Sequence, residues 1–111
     1  MFKKLIEEIH GTAKEKGWWE EPIRSFGELV VLCHAELSEA VEEYRKGHAP
    51  NEVYEAPEAP GKPEGIPVEL ADVIIRILDM CGYYGIDLDS VMEQKLAFNR
   101  NRSYRHGNKK I

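Results

Sequence analysis

The chain has 111 residues, 42% of them hydrophobic, and a net charge of −5 at pH 7. This length allows one modest hydrophobic core and one domain over residues 1–111. No stretch approaches the roughly 18 consecutive apolar residues of a membrane span. The first segment carries Glu7 and Glu8 and lacks the apolar run of a signal peptide, so a soluble, cytoplasmic protein is expected.

The charge is divided unevenly along the chain. Residues 1–94 contain all 20 acidic and nine basic residues, a net −11, whereas residues 95–111 contain six Lys or Arg and no acid. An acidic body repels duplex phosphate, so binding of polymeric nucleic acid is not expected. Cys33 and Cys81 are not in a paired Cys-x-x-Cys spacing, which predicts buried free thiols.

Apolar spacing predicts four helices. Residues 2–16 have the pattern of an amphipathic first helix that Gly17 can end. Ser25, with Glu28 three residues later, predicts the start of a second helix, which runs to about Lys46 before Gly47. The third helix follows Pro67 and covers Val68 to Tyr84, and it is apolar on nearly all sides, which predicts burial.

A fourth helix is predicted from Leu88 onward, with Asp87 as its N-cap and a basic tail at residues 103–111. No strand pattern with a period of two residues is present. The expected fold class is therefore all-α: a four-helix bundle-like single domain. A helix that is apolar all round also needs a cover, which predicts a homodimer or homotetramer.

Residues 47–65 are predicted to form a flexible, Pro-rich loop. The segment contains four prolines, four glutamates and almost no large apolar residue. A loop this long within a small domain is more often functional or mobile than incidental. A lid carrying Lys62 and a plain flexible connection are both open interpretations.

Carboxylates occupy unusual positions on two of the predicted helices. Glu36, Glu39 and Glu43 lie within a sector of about 60° on the second helix, at the edge of its apolar face. Glu69 and Asp72 lie in the still more apolar third helix, on a stripe that continues to Arg76 and Asp79. Ionised carboxylates are costly to bury without a partner, and a shared divalent cation would compensate both helices.

The expected cation is Mg²⁺, with Mn²⁺ as a possible substitute, because every candidate ligand is a carboxylate oxygen. Magnesium usually binds a few carboxylates together with substrate phosphates, so a phosphate ester or anhydride is the expected substrate. The alternative for each pair taken alone is a solvated helix face. Glu69 and Asp72 could also be first-turn acids favoured by the helix dipole.

A basic face on the fourth helix would suit such a substrate. Lys95, Asn99 and Arg102 are spaced by four and three residues, and cations there could hold phosphates. Trp18 and Trp19 could stack on a nucleobase, although core or interface packing is the more common role of such residues. Tyr104, beside the same basic face, is a further candidate substrate contact.

Two motifs resemble a known family. Glu36-Leu-Ser-Glu39 and Glu69-Leu-Ala-Asp72 are similar to the signature of the MazG-like nucleoside triphosphate pyrophosphohydrolases, and the resemblance extends from about Gly27 to Lys110. It implies an all-α, dimeric or tetrameric enzyme that converts nucleoside triphosphates to monophosphates and pyrophosphate with Mg²⁺. The metal ligands would be Glu36, Glu39, Glu69 and Asp72, with Lys95, Asn99 and Arg102 on phosphates or sugar.

One position departs from the family pattern. The family often has a further Glu directly before the first metal-binding Glu, where this chain has Ala35. Glu43 could compensate, and either Glu39 or Glu43 could accept the proton of the attacking water. The implied role is house-cleaning of non-standard nucleotides or control of ordinary nucleotide pools.

Other enzyme classes lack essential parts in this sequence. His34-Ala-Glu36 has no following Pro-Cys-x-x-Cys of a zinc deaminase, and Glu7-x-x-His10 has no second Glu-x-x-His of a di-iron protein. There is also no Gly-rich loop with Lys and Ser or Thr. The remaining alternative is a non-catalytic helical module that binds nucleotide or metal, or a partner protein.

Overall fold

The computed structural model describes all residues, 1–111, as a mostly helical chain, which confirms the predicted helical class. Its five helices and two short strands follow in chain order: α1 (Lys3–Glu15), α2 (Phe26–Arg45), β1 (Tyr54–Glu55), β2 (Pro63–Glu64), α3 (Ile66–Tyr84), α4 (Leu88–Arg100) and the single turn α5 (Arg105–Asn108). None of the helices combines the length and apolar character needed to cross a membrane.

Two helices, α2 and α4, begin at a residue whose side chain caps them, and α3 ends at a glycine. The Ser25 hydroxyl accepts a hydrogen bond from the backbone N–H of Glu28, and the Asp87 carboxylate accepts one from that of Ser90. These side chains satisfy N–H groups that have no partner within the helix. Gly85 ends α3 with φ of 65°, in the left-handed region that glycine tolerates best.

Residues 47–65 are not the structureless loop that the sequence predicts. β1 and β2 form a two-stranded antiparallel ladder in which Tyr54 pairs with Glu64 and Glu55 with Pro63. We call residues 54–64 the hairpin. Two-residue strands are too short to show a period of two, so the sequence pattern gave no indication of them.

The core lies where α3 packs between α1 and α2. Leu78 of α3 is the most deeply buried large side chain, and the other buried apolar residues are Cys33, Ala40, Ile66 and Cys81 of α2 and α3. Both cysteines are free and buried, as predicted, and burial raises the pKa of each thiol. Gly82 allows α1 to approach α3 closely, since a Cβ there would lie 2.7 Å from His10 Cβ.

α4 is joined to the rest of the molecule mainly at its first turn. Asp89 accepts hydrogen bonds from the backbone N–H groups of Phe2 and Lys3 and forms an ion pair with the terminal amine of Met1. Beyond that turn α4 has only slight contact with other elements. Val91, Leu96 and Phe98 are therefore left exposed.

A single chain does not cover its own apolar surface. Only 8 of 111 residues are buried, and the radius of gyration is 17.0 Å, against about 13 Å for a compact domain of this length. The prediction that α3 is buried on all sides is wrong for one chain, because Leu70, Ile74 and Ile75 are about half exposed. The prediction failed because a helical pattern shows which residues need a cover but not whether the same chain supplies it.

Candidate metal centre

Three carboxylates from two helices meet at the packed face between α2 and α3. Oxygens of Glu36, Glu69 and Asp72 all lie within 4.8 Å of one another, and we call these residues the carboxylate cluster. Glu69 and Asp72 face the same way because three residues make nearly one helical turn. The pairing of α2 with α3 brings Glu36 to them.

Glu69 is the carboxyl of the cluster that burial most disfavours in its ionised form. The residue is 9% exposed, and its Oε2 is buried without a hydrogen-bond partner. Burial, together with contacts to Glu36 and Glu39, raises the pKa of Glu69 to about 8. A buried acceptor without a partner is costly, so this oxygen calls for either a proton or a cation.

Glu36 is held in its ionised form at the other side of the cluster. Burial raises its pKa, but hydrogen bonds from Glu69 and Arg76 outweigh burial and leave the pKa lowered. The Arg76 Nε donates to Glu36 Oε1 at 3.1 Å. This contact fixes one carboxylate oxygen of Glu36.

Asp72 and Glu39 complete the acidic surroundings. Burial and the charge of Glu36 raise the pKa of Asp72, whereas the charges of Arg76 and Lys62 lower it. Glu39 is exposed, and its hydrogen-bonding contact and its charge both raise the pKa of Glu69. All four sequence-predicted metal ligands thus lie in or beside one cluster.

The residues of the cluster fit a hard divalent cation. Every donor is a carboxylate oxygen, and Mg²⁺–oxygen bonds are about 2.1 Å long, so one cation would bridge separations close to those observed. The unpartnered Oε2 of Glu69 is independent evidence for the fit, since a cation would supply the missing partner. No Cys or His belongs to the cluster, which disfavours zinc.

Glu43 is held by the hairpin and is not one of the clustered carboxylates. Its Oε2 accepts a hydrogen bond from the Tyr54 hydroxyl at 2.8 Å and lies 3.5 Å from His48 Nε2. The same hydrogen bond raises the pKa of Tyr54 to about 12. The sequence placed Glu43 on the acidic stripe correctly but could not reveal these partners, which lie in the segment expected to be a loop.

A cavity of about 600 Å³ opens beside the cluster, between α1, α2 and α3. Glu36, Asp72 and Arg76 form its wall on the cluster side. The rest of its lining consists of eight apolar or aromatic residues, among them Trp18 and Trp19 of the connector between α1 and α2, and of five polar residues: Glu8, Thr12, Lys16, Arg24 and Asp79. The cavity thus combines aromatic and apolar surface with several charged groups, which is typical of small-molecule sites.

The two tryptophans differ in how available they are to a ligand. Trp19 donates its indole N–H to Asp79, and one of its faces stacks on Tyr83 at 4.2 Å between ring centroids. Trp18 is 60% exposed and has the Arg24 guanidinium over its ring. The two tryptophans are therefore not both free to stack on a nucleobase, because Tyr83 already covers one face of Trp19.

The predicted basic face does not reach the cluster of the same chain. α4 supplies no residue that hydrogen-bonds to the carboxylates or lines the cavity. Lys95 and Arg102 lie over the ring of Phe98, and Asn99 and Tyr104 are exposed. Within one chain, Arg76 and Lys62 are instead the cations whose charge acts on the cluster.

Two polar residues of the site were not assigned a role from the sequence. Arg76 belongs to the predicted stripe, and its spacing of four from Asp72 was the available signal. The Nδ1 atom of His10, in α1, lies 2.8 Å from Oδ1 of Asp79, in α3. The sequence gave no indication of this partner.

No protein-family model, curated protein or solved structure matches the chain. The resemblance of its two motifs to the MazG-like family therefore stays a prediction.

Proposed function

We propose that the chain is a Mg²⁺-dependent nucleoside triphosphate pyrophosphohydrolase, which converts its substrate to a nucleoside monophosphate and pyrophosphate. The observation that carries the proposal is the carboxylate cluster, with its unpartnered Glu69 Oε2, beside a cavity that Glu36 and Asp72 help to line. A cavity of this volume accommodates a nucleoside, and a cation at its end would meet the phosphates. The motif resemblance supports the same reaction.

The roles of the carboxylates follow from their surroundings. Glu36, Glu69 and Asp72 would hold the cation, with Glu39 at the exposed edge. When bound, Mg²⁺ would neutralise phosphate charge and make a water more acidic. Glu39 suits the proton acceptor better than Glu43, because the Glu43 carboxylate already accepts the hydroxyl of Tyr54.

Arg76 would position Glu36 and complement the negative charge of the site. Its Nε already donates to Glu36, and its guanidinium lines the cavity beside Asp72. Hydrogen bonds of this kind orient metal ligands. The nucleoside would occupy the cavity, with Trp18 as the more accessible aromatic surface.

The active form is proposed to be a homo-oligomer. A second copy would cover the exposed apolar side chains of α3 and α4 and complete a four-helix bundle. It would also bring another chain's basic face within reach of substrate. Lys95, Asn99, Arg102 and Tyr104 would then contact phosphates or sugar across the interface.

The test is pyrophosphate release from a panel of standard and modified nucleoside triphosphates in the presence of Mg²⁺. Glu36→Gln and Glu69→Gln should each lower turnover about 100-fold or more, since an amide is a poor Mg²⁺ ligand. Glu42→Gln is the matched control on α2, because Glu42 is exposed and pairs with Arg45. Nucleotide binding without release of pyrophosphate from any member of the panel would favour the non-catalytic binding module.

A further inference from the structure

The hairpin is fixed beside the carboxylate cluster by a set of polar contacts. Tyr54 of β1 donates its hydroxyl to Glu43 of α2, and the rings of Tyr54 and His48 stack at 4.4 Å. His48 Nδ1 also lies 3.0 Å from Glu52 Oε2. These contacts anchor the first strand of the hairpin to the helix that carries Glu36.

The second strand is fixed at its other end, where β2 leads directly into α3. Gly65, between them, has φ of 121°, and a Cβ at this position would lie 2.3 Å from the backbone oxygen of Glu52. Only glycine allows this close approach and this backbone conformation. The position of β2 relative to Glu69, one turn into α3, is therefore well defined.

Lys62 immediately precedes β2 and is the only Lys or Arg between Gly47 and Gly65. Its side chain is 70% exposed, and its Nζ lies 3.3 Å from Glu64 Oε1. β2 contacts α3 and leads directly into its first turn, which carries Glu69. Lys62 therefore lies on the hairpin side of the cluster.

The cavity lies on the opposite side of the cluster. Asp72, Arg76 and Asp79 line it, whereas Glu69, the carboxylate nearest the hairpin along α3, does not. Each turn of α3 advances about 5.4 Å, so these residues lead away from the hairpin. The cation site thus separates a cavity that fits a nucleoside from a single exposed lysine.

We propose that Lys62 binds the β- and γ-phosphates of the nucleotide, the part that leaves as pyrophosphate. The substrate would lie with its nucleoside in the cavity, its α-phosphate at the cluster and its outer phosphates at the hairpin. This inference rests on the proposed function and adds a direction to it.

The present partner of Lys62 does not prevent this role. An ion pair between a largely exposed lysine and a glutamate is weak, because water screens both charges. A polyphosphate has more charge and more acceptor oxygens than one carboxylate, and lysine is a common phosphate ligand. Lys62 can therefore exchange Glu64 for a phosphate without a change in the hairpin.

The test compares inhibition by the two products of the reaction, with Mg²⁺ and the best substrate of the panel. In Lys62→Ala, the inhibition constant for pyrophosphate should rise about 10-fold or more, the scale of one lost charged contact. The constant for the nucleoside monophosphate should change less than about twofold, since no contact to it is lost. Lys62→Arg should restore most of the pyrophosphate inhibition.

Lys46→Ala is the matched control, since Lys46 is an exposed lysine at the start of the same connection between α2 and α3. A general loss of positive charge would affect both variants alike. The inference is overturned if Lys62→Ala leaves pyrophosphate inhibition unchanged, or weakens inhibition by both products equally. A wild-type protein that releases no pyrophosphate would instead remove the proposed function, and this inference with it.

Discussion

At the scale of single residues, Glu69 shows how the fold disfavours an ionised carboxylate at the proposed cation site. Packing α3 against α2 places its carboxyl among Glu36, Glu39 and apolar surroundings, where ionisation is disfavoured. Either a proton or a cation can compensate the buried charge of Glu69. Protons and cations should therefore compete for this carboxylate, and the thermal stability of the protein reports the competition.

We expect the metal-free protein to melt at a lower temperature at about pH 9 than at about pH 6. The pKa of Glu69 is raised by folding from 4.5 to about 8, so its stabilising contribution is present at low pH and is lost as the pH rises through that range. The raised pKa of Asp72 acts in the same direction, whereas the lowered pKa of Glu36 has no effect between these pH values, because Glu36 is already ionised at pH 6 in both the folded and the unfolded chain. Differential scanning fluorimetry, with and without Mg²⁺, measures the effect.

Mg²⁺ should raise the melting temperature more at the higher pH, because fewer protons compete for the carboxylates. Glu69→Gln is the control, since an amide does not titrate. This variant should have a smaller pH dependence and gain little from Mg²⁺. A pH dependence identical to that of the wild type would show that Glu69 is not the group responsible.

Single residues also show what the sequence could and could not predict about the site. The spacing of Glu69 and Asp72 predicted that they share one face of α3, because helical geometry converts spacing into direction, whereas the approach of Glu36 to them depends on the packing of α2 on α3. The partners of Glu43 and Asp79 were not predictable, since Tyr54 and His10 lie far from them along the chain and belong to no local pattern. Contacts of this kind are set by tertiary packing alone.

At the scale of elements, the close packing of α1 on α3 depends on one glycine. A Cβ at Gly82 would lie 2.7 Å from His10 Cβ and 2.8 Å from His10 Cγ, closer than side chains tolerate. A Cβ at Gly11, within α1, would have no heavy atom within 4 Å. Gly11 is therefore a control for Gly82, because the two glycines lie in helices that pack against each other.

We expect Gly82→Ala to lower the free energy of unfolding by about 1–3 kcal/mol, because the methyl group would push α1 away from α3. Gly11→Ala should raise it by about 0.5–1 kcal/mol through helix propensity. Chemical denaturation of both variants gives the two values. If both substitutions stabilised the protein, the close approach of α1 and α3 would not be a constraint on the fold.

The elements themselves were largely predictable where local chemistry determines them. Ser25, Asp87 and the glycines at helix ends gave the boundaries, because capping is a local interaction. The hairpin was missed because its strands contain two residues each and depend on Gly65 and on contacts with α2. Its anchoring could not be read from a segment rich in proline and glutamate.

At the scale of the whole molecule, one chain is too extended and too exposed to be a complete bundle. Exposed apolar side chains occur on α2, α3 and α4, including Val31, Ile74 and Phe98. Exposed apolar surface on several helices is typical of an interface between subunits. The sequence predicted that a second subunit covers the apolar helix faces. It could not predict the arrangement of α4, because α4 has only slight contact with the rest of its own chain.

We expect Phe98→Glu to shift the protein to a smaller species in sedimentation velocity, because a charge would have to be buried in the proposed interface. Phe98 is 58% exposed in the single chain, so the substitution should not unfold the monomer. Arg100→Glu is the control, as Arg100 lies about 200° away around α4 and its charge change is larger. Equal shifts in both variants would indicate a general charge effect and not an interface at Phe98.

The attachment of α4 at its first turn has a mechanical consequence. Asp89 holds the start of this 13-residue helix against the N-terminus of α1, and the rest forms a rod about 20 Å long. A rotation of about 10° at Gly85 would displace the far end, near Arg100, by about 3 Å. Small changes of angle at Gly85 therefore become larger displacements at the far end of α4. The surface against which α4 packs would then determine which groups its basic residues contact.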